Sequence, residues 1–369
     1  MGYPDRDVNG LRTINARGAR FCWSALAIPR GVRAADSRHH VAGKLPQRAS
    51  WCSLKASFNC VSGSRARAAF SERQDQSMFD PNDIRATIGQ REVGRDQVLE
   101  WESRRADAVL AKFAARLGTR GTGEILHNLS VRELRDAPLE VRRSTLLSLK
   151  TQLGHAGAYA MLKRELAISE RISRLAVATS RGKVKYAATR LRVPGLSAER
   201  FAAWFDNLVV TDDEDAMNSA CPDHYLLRGL SDGRQEVVET TGGAPFPARF
   251  LIDYQRPDDI TVPIDPAYPL QITGTAVLDD GLVIGGVRHQ FRDRDGALEA
   301  LVTVQFPAVM PAWNIRQHQW HLACEFSNWM IASASFTATT RAPARTAVAA
   351  TEHYSLPSNA FGAERDSGQ

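Results

Sequence analysis

The chain has 369 residues, 43% of them hydrophobic, and a formal net charge of +6. That is enough apolar material to bury a core in about two domains, which excludes a wholly disordered chain. The positive charge is not a nucleic-acid footprint: residues 1–77 hold thirteen Lys or Arg against five Asp or Glu, so the remainder carries −2 and shows no basic patch with interleaved aromatics.

No apolar run is long enough to span a bilayer, so no membrane partner is expected. Of the five cysteines, Cys22, Cys52 and Cys60 lie in the basic segment, Cys221 and Cys324 are far apart, and no CxxC pair occurs. A disulfide framework is therefore not expected, and a reduced, cytoplasmic protein is the simplest reading. The apolar stretch 21–28 follows Arg17 and Arg20, but it is short and its lead contains Asp5 and Asp7, a poor match to a signal peptide.

Residues 1–77 are rich in Arg, Ser, Ala and Gly, without sustained helical or strand periodicity, and are expected to be disordered. Met78 opens the segment MFDPNDIRATIGQREV, which reads like a protein start. The upstream segment is thus expected to be an over-extended start, which mass spectrometry of the native amino terminus would decide. Residues 78–182 read as an all-helical region. From 95 to 117, Val98, Trp101, Val109, Leu110, Phe113 and Leu117 share one side, and Gly118 stops the helix. Ser130 and Glu133 have capping-box spacing for a short second helix. A third is predicted over 141–153 and a fourth after Gly157, through Tyr159, Met161, Leu162, Leu166 and Ile168. A helix-turn-helix DNA reader is an alternative for this region, but helix pairs of this composition are more commonly packing elements.

The texture changes over 183–337. Tyr186 to Val193 alternates as a strand does, Pro194-Gly195 marks a turn, and Ser197 is placed to cap an amphipathic helix through Leu208. Strand-like runs follow at 235–240, 248–254, 269–277, 282–292 and 297–306, separated by turns containing Gly, Pro or Asp. The last element is a helix through His318, His321 and Trp329. The predicted class is α+β: an antiparallel sheet wrapped against a long C-terminal helix and enclosing a ligand cavity, preceded by the all-helical region. Residues 338–369, rich in Ala, Thr and Arg, are expected to fray.

The last helix carries the chemistry. His321 and Glu325 are four residues apart and project from the same face. Trp320, Leu322, Phe326, Trp329 and Met330 surround them, which turns two ionisable groups toward a core where they need partners. An imidazole and a carboxylate so presented can grip a divalent metal, although this spacing is more often a helix-surface pair. Upstream, Cys221-Pro-Asp-His224-Tyr225 precedes the sheet and Glu239 lies in the strand VVETTGG. His224, Glu239, His321 and Glu325 together would suit zinc, with a position left for water. Spacing alone does not bring the four together; taken separately, His224 reads as a loop histidine and Glu239 as a solvated strand residue.

Five segments in order, PGLSAERFAAWF, PDHY, VVETTGG, VRHQFRDRDGALEALVTVQFP and HLACEFSNW, cover roughly residues 190–335. This order resembles the diacetylphloroglucinol hydrolase family, which includes phloretin hydrolase-like enzymes. The resemblance implies a START-like helix-grip fold, zinc held by His224, Glu239, His321 and Glu325, and hydrolysis of a carbon–carbon bond between an acyl group and an aromatic or otherwise activated carbon. It implies a small apolar or phenolic substrate. The interval between PDHY and VVETTGG is short for the family. Tyr225 and Asn328, adjacent to ligand motifs, are the candidate catalytic residues, with Tyr225 as a proton source; His289, His318 and Glu299 receive no direct role. The alternative function is a non-enzymatic START-like binding protein for an apolar small molecule. The helical region has no counterpart in the resemblance.

Overall fold

The computed structural model describes residues 79–125 and 131–336. The expectations for residues 1–77, Ser130 and residues 338–369 lie outside them. Arg85–Ile88 (β1) and Arg91–Gly94 (β2) are joined through Gly89, whose φ of 64° suits a residue without a Cβ. This hairpin falls inside the segment predicted to be all helical. Four-residue strands are too short for alternation to register, and β1 pairs on its other side with a strand more than a hundred residues away.

Helix α1 (Arg95–Ile125) follows directly and is interrupted at Gly118 (φ 69°, ψ 177°), where the sequence placed a stop. After α2 (Val131–Asp136), α3 (Leu139–Ser180) is likewise broken at Gly154 (φ 57°), so the predicted third and fourth helices are its two halves. Arg181, at φ 50°, ends α3 in the left-handed conformation.

The remaining elements are β3 (Val184–Pro194), α4 (Ala198–Thr211), α5 (Glu214–Ser219), β4 (His224–Gly229), β5 (Gln235–Glu239), β6 (Ala248–Asp253), β7 (Leu270–Val277), β8 (Val283–Arg294), β9 (Ala297–Pro307) and α6 (Ala312–Ala334). Ser197 caps α4 by accepting from the Arg200 N–H at 3.2 Å, as its position predicted. All strands join one antiparallel sheet in the order β2-β1-β3-β9-β8-β7-β6-β5-β4. The architecture is therefore mixed α and β, a nine-stranded antiparallel sheet with helices that include a long C-terminal one.

Two apolar clusters hold these layers together. The larger joins one face of the sheet to α4 and α6, through residues such as Phe201, Phe291, Val302, Phe326 and Met330. The smaller lies on the opposite face, where Ala106, Leu110 and Phe113 of α1, with Leu146, Leu149 and Leu162 of α3, cover Tyr225, Leu226 and Val238. Strands β4 and β5 are consequently covered on both sides. This accounts for β4 reading as a loop: its His-Tyr-Leu-Leu run is buried throughout and lacks apolar–polar alternation.

Candidate metal centre

The centre is assembled where the start of β4 and the end of β5 meet α6. His224 opens β4 and pairs directly with Glu239, the last residue of β5. A register shift between His224 and Leu226 makes Tyr225 an extra, bulged residue. The bulge has a directional consequence. Leu227 belongs to the α4–α6 core and Leu226 to the opposite cluster, so in an unbroken strand His224 would face away from α6. The added residue turns it back toward the helix. From α6, His321 and Glu325 approach one turn apart.

The loop after β5 is tied to the same helix. Asn314 Nδ2 donates to the Thr241 carbonyl at 2.7 Å. A Cβ on Gly242, itself at φ 55°, would lie 2.5 Å from the Asn314 carbonyl oxygen, so glycine is required for this approach.

Four side chains converge. His224 Nε2 is 3.2 Å from His321 Nε2, 3.8 Å from a Glu239 oxygen and 3.9 Å from a Glu325 oxygen. His321 Nε2 is 3.6 Å from each carboxylate. Both imidazoles are buried, and the carboxylate side chains retain 10% and 13% exposure. Burial raises Glu239 despite the nearby His321. Burial also pushes Glu325 up to about 8, His321 opposing and Glu239 adding to the rise. Burial pulls His321 down, but Cys221, Glu239 and Asp223 overcome it and hold this imidazole well above its ordinary value. His224 is driven well below it by burial and by the neighbouring His321. Two imidazoles and two carboxyls thus share protons in one largely buried pocket, an arrangement that a divalent cation can replace.

The outer nitrogens are also oriented. His224 Nδ1 lies 3.1 Å from the Met217 carbonyl oxygen. As the donor in that bond, the ring leaves a bare Nε2 pointing into the cluster. His321 Nδ1 is 3.9 Å from Asp223 Oδ2 and 3.7 Å from Cys221 Sγ. Asp223 is fully buried and gripped by Arg105, with Nε–Oδ2 at 2.9 Å and Nη2–Oδ1 at 2.7 Å. Burial would raise this carboxyl, but His321 and Arg105 hold it below its usual value. A carboxylate behind a histidine is a common support for a metal ligand. Lys150 of α3 completes the frame by donating to the Asn218 carbonyl at 3.0 Å; burial lowers its pKa to about 8.

Cys221, His224 and His321 form a buried group that could hold a metal ion, their donor atoms lying within 4.8 Å of one another. The geometry favours the set around His321 Nε2 over a cysteine-containing one: Cys221 stands beside Nδ1 of the ring, on the side away from Nε2.

The centre opens on a cavity of about 340 Å³ lined mainly by apolar side chains, with Glu239, His321 and Glu325 in its wall. Tyr225 and Asn328 are not brought to this cavity. Tyr225 faces the other side of the sheet, its ring stacked on Phe113 at 6.0 Å, and burial raises its pKa. Asn328 lies between helices, accepting from Arg95 at 2.5 Å and donating to the Ala220 carbonyl at 2.8 Å; it ties α6 to α1. Glu299 pairs with Arg292 at 2.6 Å, away from the centre.

His289, His318 and Tyr254 do line the cavity, and the sequence reading gave them no role there. The inward alternation of Val287, His289 and Phe291 on β8 could have signalled His289, and His318 stands one turn before His321. Asp223 carried no signal beyond its adjacency to His224.

No helix among the described residues is long and apolar enough to cross a membrane. Comparison with protein-family models gives no match, and comparison with curated proteins gives none either.

Proposed function

We propose that the chain is a zinc-dependent hydrolase of the START-like helix-grip fold, cleaving a carbon–carbon bond between an acyl group and an aromatic or comparably activated carbon. The observation that carries this reading is the convergence of His224, Glu239, His321 and Glu325, with histidine–histidine and histidine–carboxylate separations of 3.2–3.9 Å, beside an apolar cavity. Ligands about 2.0–2.1 Å from a tetrahedral ion stand about 3.3 Å from one another, so this donor set fits zinc. The fold reading is supported by the strand order from β3 through β9 to β4 and by the packing of α6 on the sheet.

Bound zinc would supply a Lewis acid for a ketone oxygen and a water of lowered pKa. The chain's own residues provide the rest. Asp223 and the Met217 carbonyl orient the two imidazoles. The apolar walls exclude bulk water from the reacting carbonyl, so a leaving carbanion needs a proton from the protein. Tyr254, in the cavity wall and donating to Gln235 Oε1 at 2.7 Å, is the group available for that transfer. Burial first and Glu325 second raise its pKa, which keeps the phenol protonated.

The test is metal content of the purified protein beside His321→Ala and Glu325→Ala, followed by a panel of acylated phenols and β-diketones. About one zinc per chain in the parent, lost in both variants, together with release of the acyl group as a carboxylate, is the expected result. The mainly apolar lining also favours a second reading, a non-enzymatic binding protein for an apolar small molecule. A parent that neither retains nor takes up zinc but binds such a ligand would select it.

A further inference from the structure

The opening of the cavity is flanked by apolar side chains that stand in solvent. Ile168, Ile172 and Leu175 recur at helical spacing on α3, at 39%, 51% and 64% exposure. Ile172 also lines the cavity, as does Trp313 at the start of α6, itself 45% exposed. Val309, at 48%, stands in the turn between β9 and α6. Apolar side chains exposed singly are ordinary, but five of them beside the mouth of an apolar cavity mark a contact surface.

Basic residues adjoin this ridge. Arg181, Lys183 and Lys185 follow α3 directly and are exposed. Their segment is fastened to the turn that carries Val309. Ser180 Oγ accepts from the Val309 N–H at 3.1 Å, the Lys183 carbonyl accepts from the Ala308 N–H at 2.9 Å, and Lys185 Nζ donates to the Met310 carbonyl at 3.0 Å. None of the three bases forms an ion pair among the described residues. Glu170 and Asp280 are both engaged by Arg174, on another side of α3. Apolar groups and uncompensated positive charge therefore occur together where the cavity opens, and Trp313 is of the type that settles at a lipid–water boundary.

We propose that this ridge docks on an anionic lipid surface and that the cavity takes up its ligand there. Such contact needs no spanning helix: apolar side chains enter the boundary layer while the bases meet lipid phosphates. Charge complementarity sets the sign of the surface, and position decides between lipid and protein. A folded protein seated over the mouth would obstruct the cavity, whereas a lipid layer also dissolves the apolar molecules that suit its lining. The proposal shares with the hydrolase reading only that the cavity is the ligand site, and it does not require the metal.

Residues 1–77 hold thirteen Lys or Arg against five Asp or Glu, so attraction of the full chain to anionic vesicles is not sufficient and variants decide. The full chain is co-sedimented with sucrose-loaded vesicles of phosphatidylcholine alone and of equimolar phosphatidylcholine and phosphatidylglycerol. Leu175→Ser/Val309→Ser removes two ridge side chains that do not line the cavity, Arg181→Gln/Lys183→Gln removes two bases, and circular dichroism confirms that each variant folds. The parent should prefer the anionic vesicles, and less so as salt is raised. Affinity should fall about tenfold in the apolar variant. It should fall about 25-fold in the other, each base near such a surface contributing about fivefold. Lipids brominated in their acyl chains should quench tryptophan emission more in the parent than in Trp313→Phe. Absence of vesicle binding, undiminished binding in either double variant, or equal quenching with and without Trp313 would each overturn the proposal. So would a dimer, in sedimentation equilibrium without lipid, that Leu175→Ser/Val309→Ser dissociates, because a second copy would then cover the ridge. Failure of zinc uptake alone would remove the hydrolase reading and leave the docking surface standing.

Discussion

Replacing Asp223 by Asn separates the support of the metal centre from the centre itself. The carboxylate is completely buried, whereas the Arg105 side chain that grips it is 20% exposed. Breaking a buried ion pair by removing one partner costs about 3–5 kcal/mol, and the solvent still reaching Arg105 places this case near about 3 kcal/mol. The second effect is on His321, whose Nδ1 faces the same carboxylate at 3.9 Å. Loss of such an orienting group typically weakens metal binding by about 10–100-fold, or roughly 1.4–2.7 kcal/mol.

The two effects respond differently to a further change. In Asp223→Asn/Arg105→Met no unpaired guanidinium remains, so part of the stability should return while zinc affinity stays low. Urea unfolding of the metal-free proteins reads the first quantity, and competition with a chromophoric zinc chelator reads the second. If Asp223→Asn binds zinc as tightly as the parent, or if zinc affinity recovers in the double variant, the assignment of Asp223 as the group that positions His321 is refuted.

Zinc affinity should rise about fivefold from pH 7 to pH 8, because below about 8 the metal must displace a proton from Glu325; a flat profile in the same chelator assay would contradict the shared-proton picture. Gly242→Ala should destabilise by about 2–4 kcal/mol, since φ is 55° and the new Cβ would meet the backbone of Asn314 and His318, and thermal unfolding without loss of midpoint would show that the loop is free to move away from α6. Asp206 has its pKa raised to about 6 by burial, so its ionised form costs the folded state stability above that pH, and the cost disappears below the unfolded value near 3.8. After discounting for partial exposure, Asp206→Asn should therefore stabilise by roughly 1 kcal/mol at pH 7 and by nothing near pH 3.5, a difference that urea titrations at the two pH values would reveal.

Much of the local structure was legible in the residues. Strands β5 to β9 carry alternation or turn punctuation, Ser197 caps α4, Gly118 interrupts α1, and the spacing of His321 and Glu325 puts both on one face of α6. These are local properties, set by backbone periodicity and by hydrogen bonds within a few residues. Strand β4 was not legible because two cores bury it from opposite sides, and the β1–β2 hairpin was not because its pairing with β3 is long-range.

The centre divides in the same way. Residue types and spacing nominated His224, Glu239, His321 and Glu325, but their convergence depends on the pairing of β4 with β5 and on the bulge at Tyr225 that turns His224 inward. Tyr225 and Asn328 show the limit of adjacency. A neighbour of a metal-ligand candidate on a strand points to the opposite face, and one three residues along a helix can equally meet another helix, as Asn328 meets α1 through Arg95. Asp223 and Arg105 acquire their positions from a contact between residues 118 apart in the chain, so no pattern within a window of sequence contains them. The sequence by itself determined which residues are capable of the chemistry; the tertiary structure alone decided which of them share one buried pocket, because convergence is a property of packing.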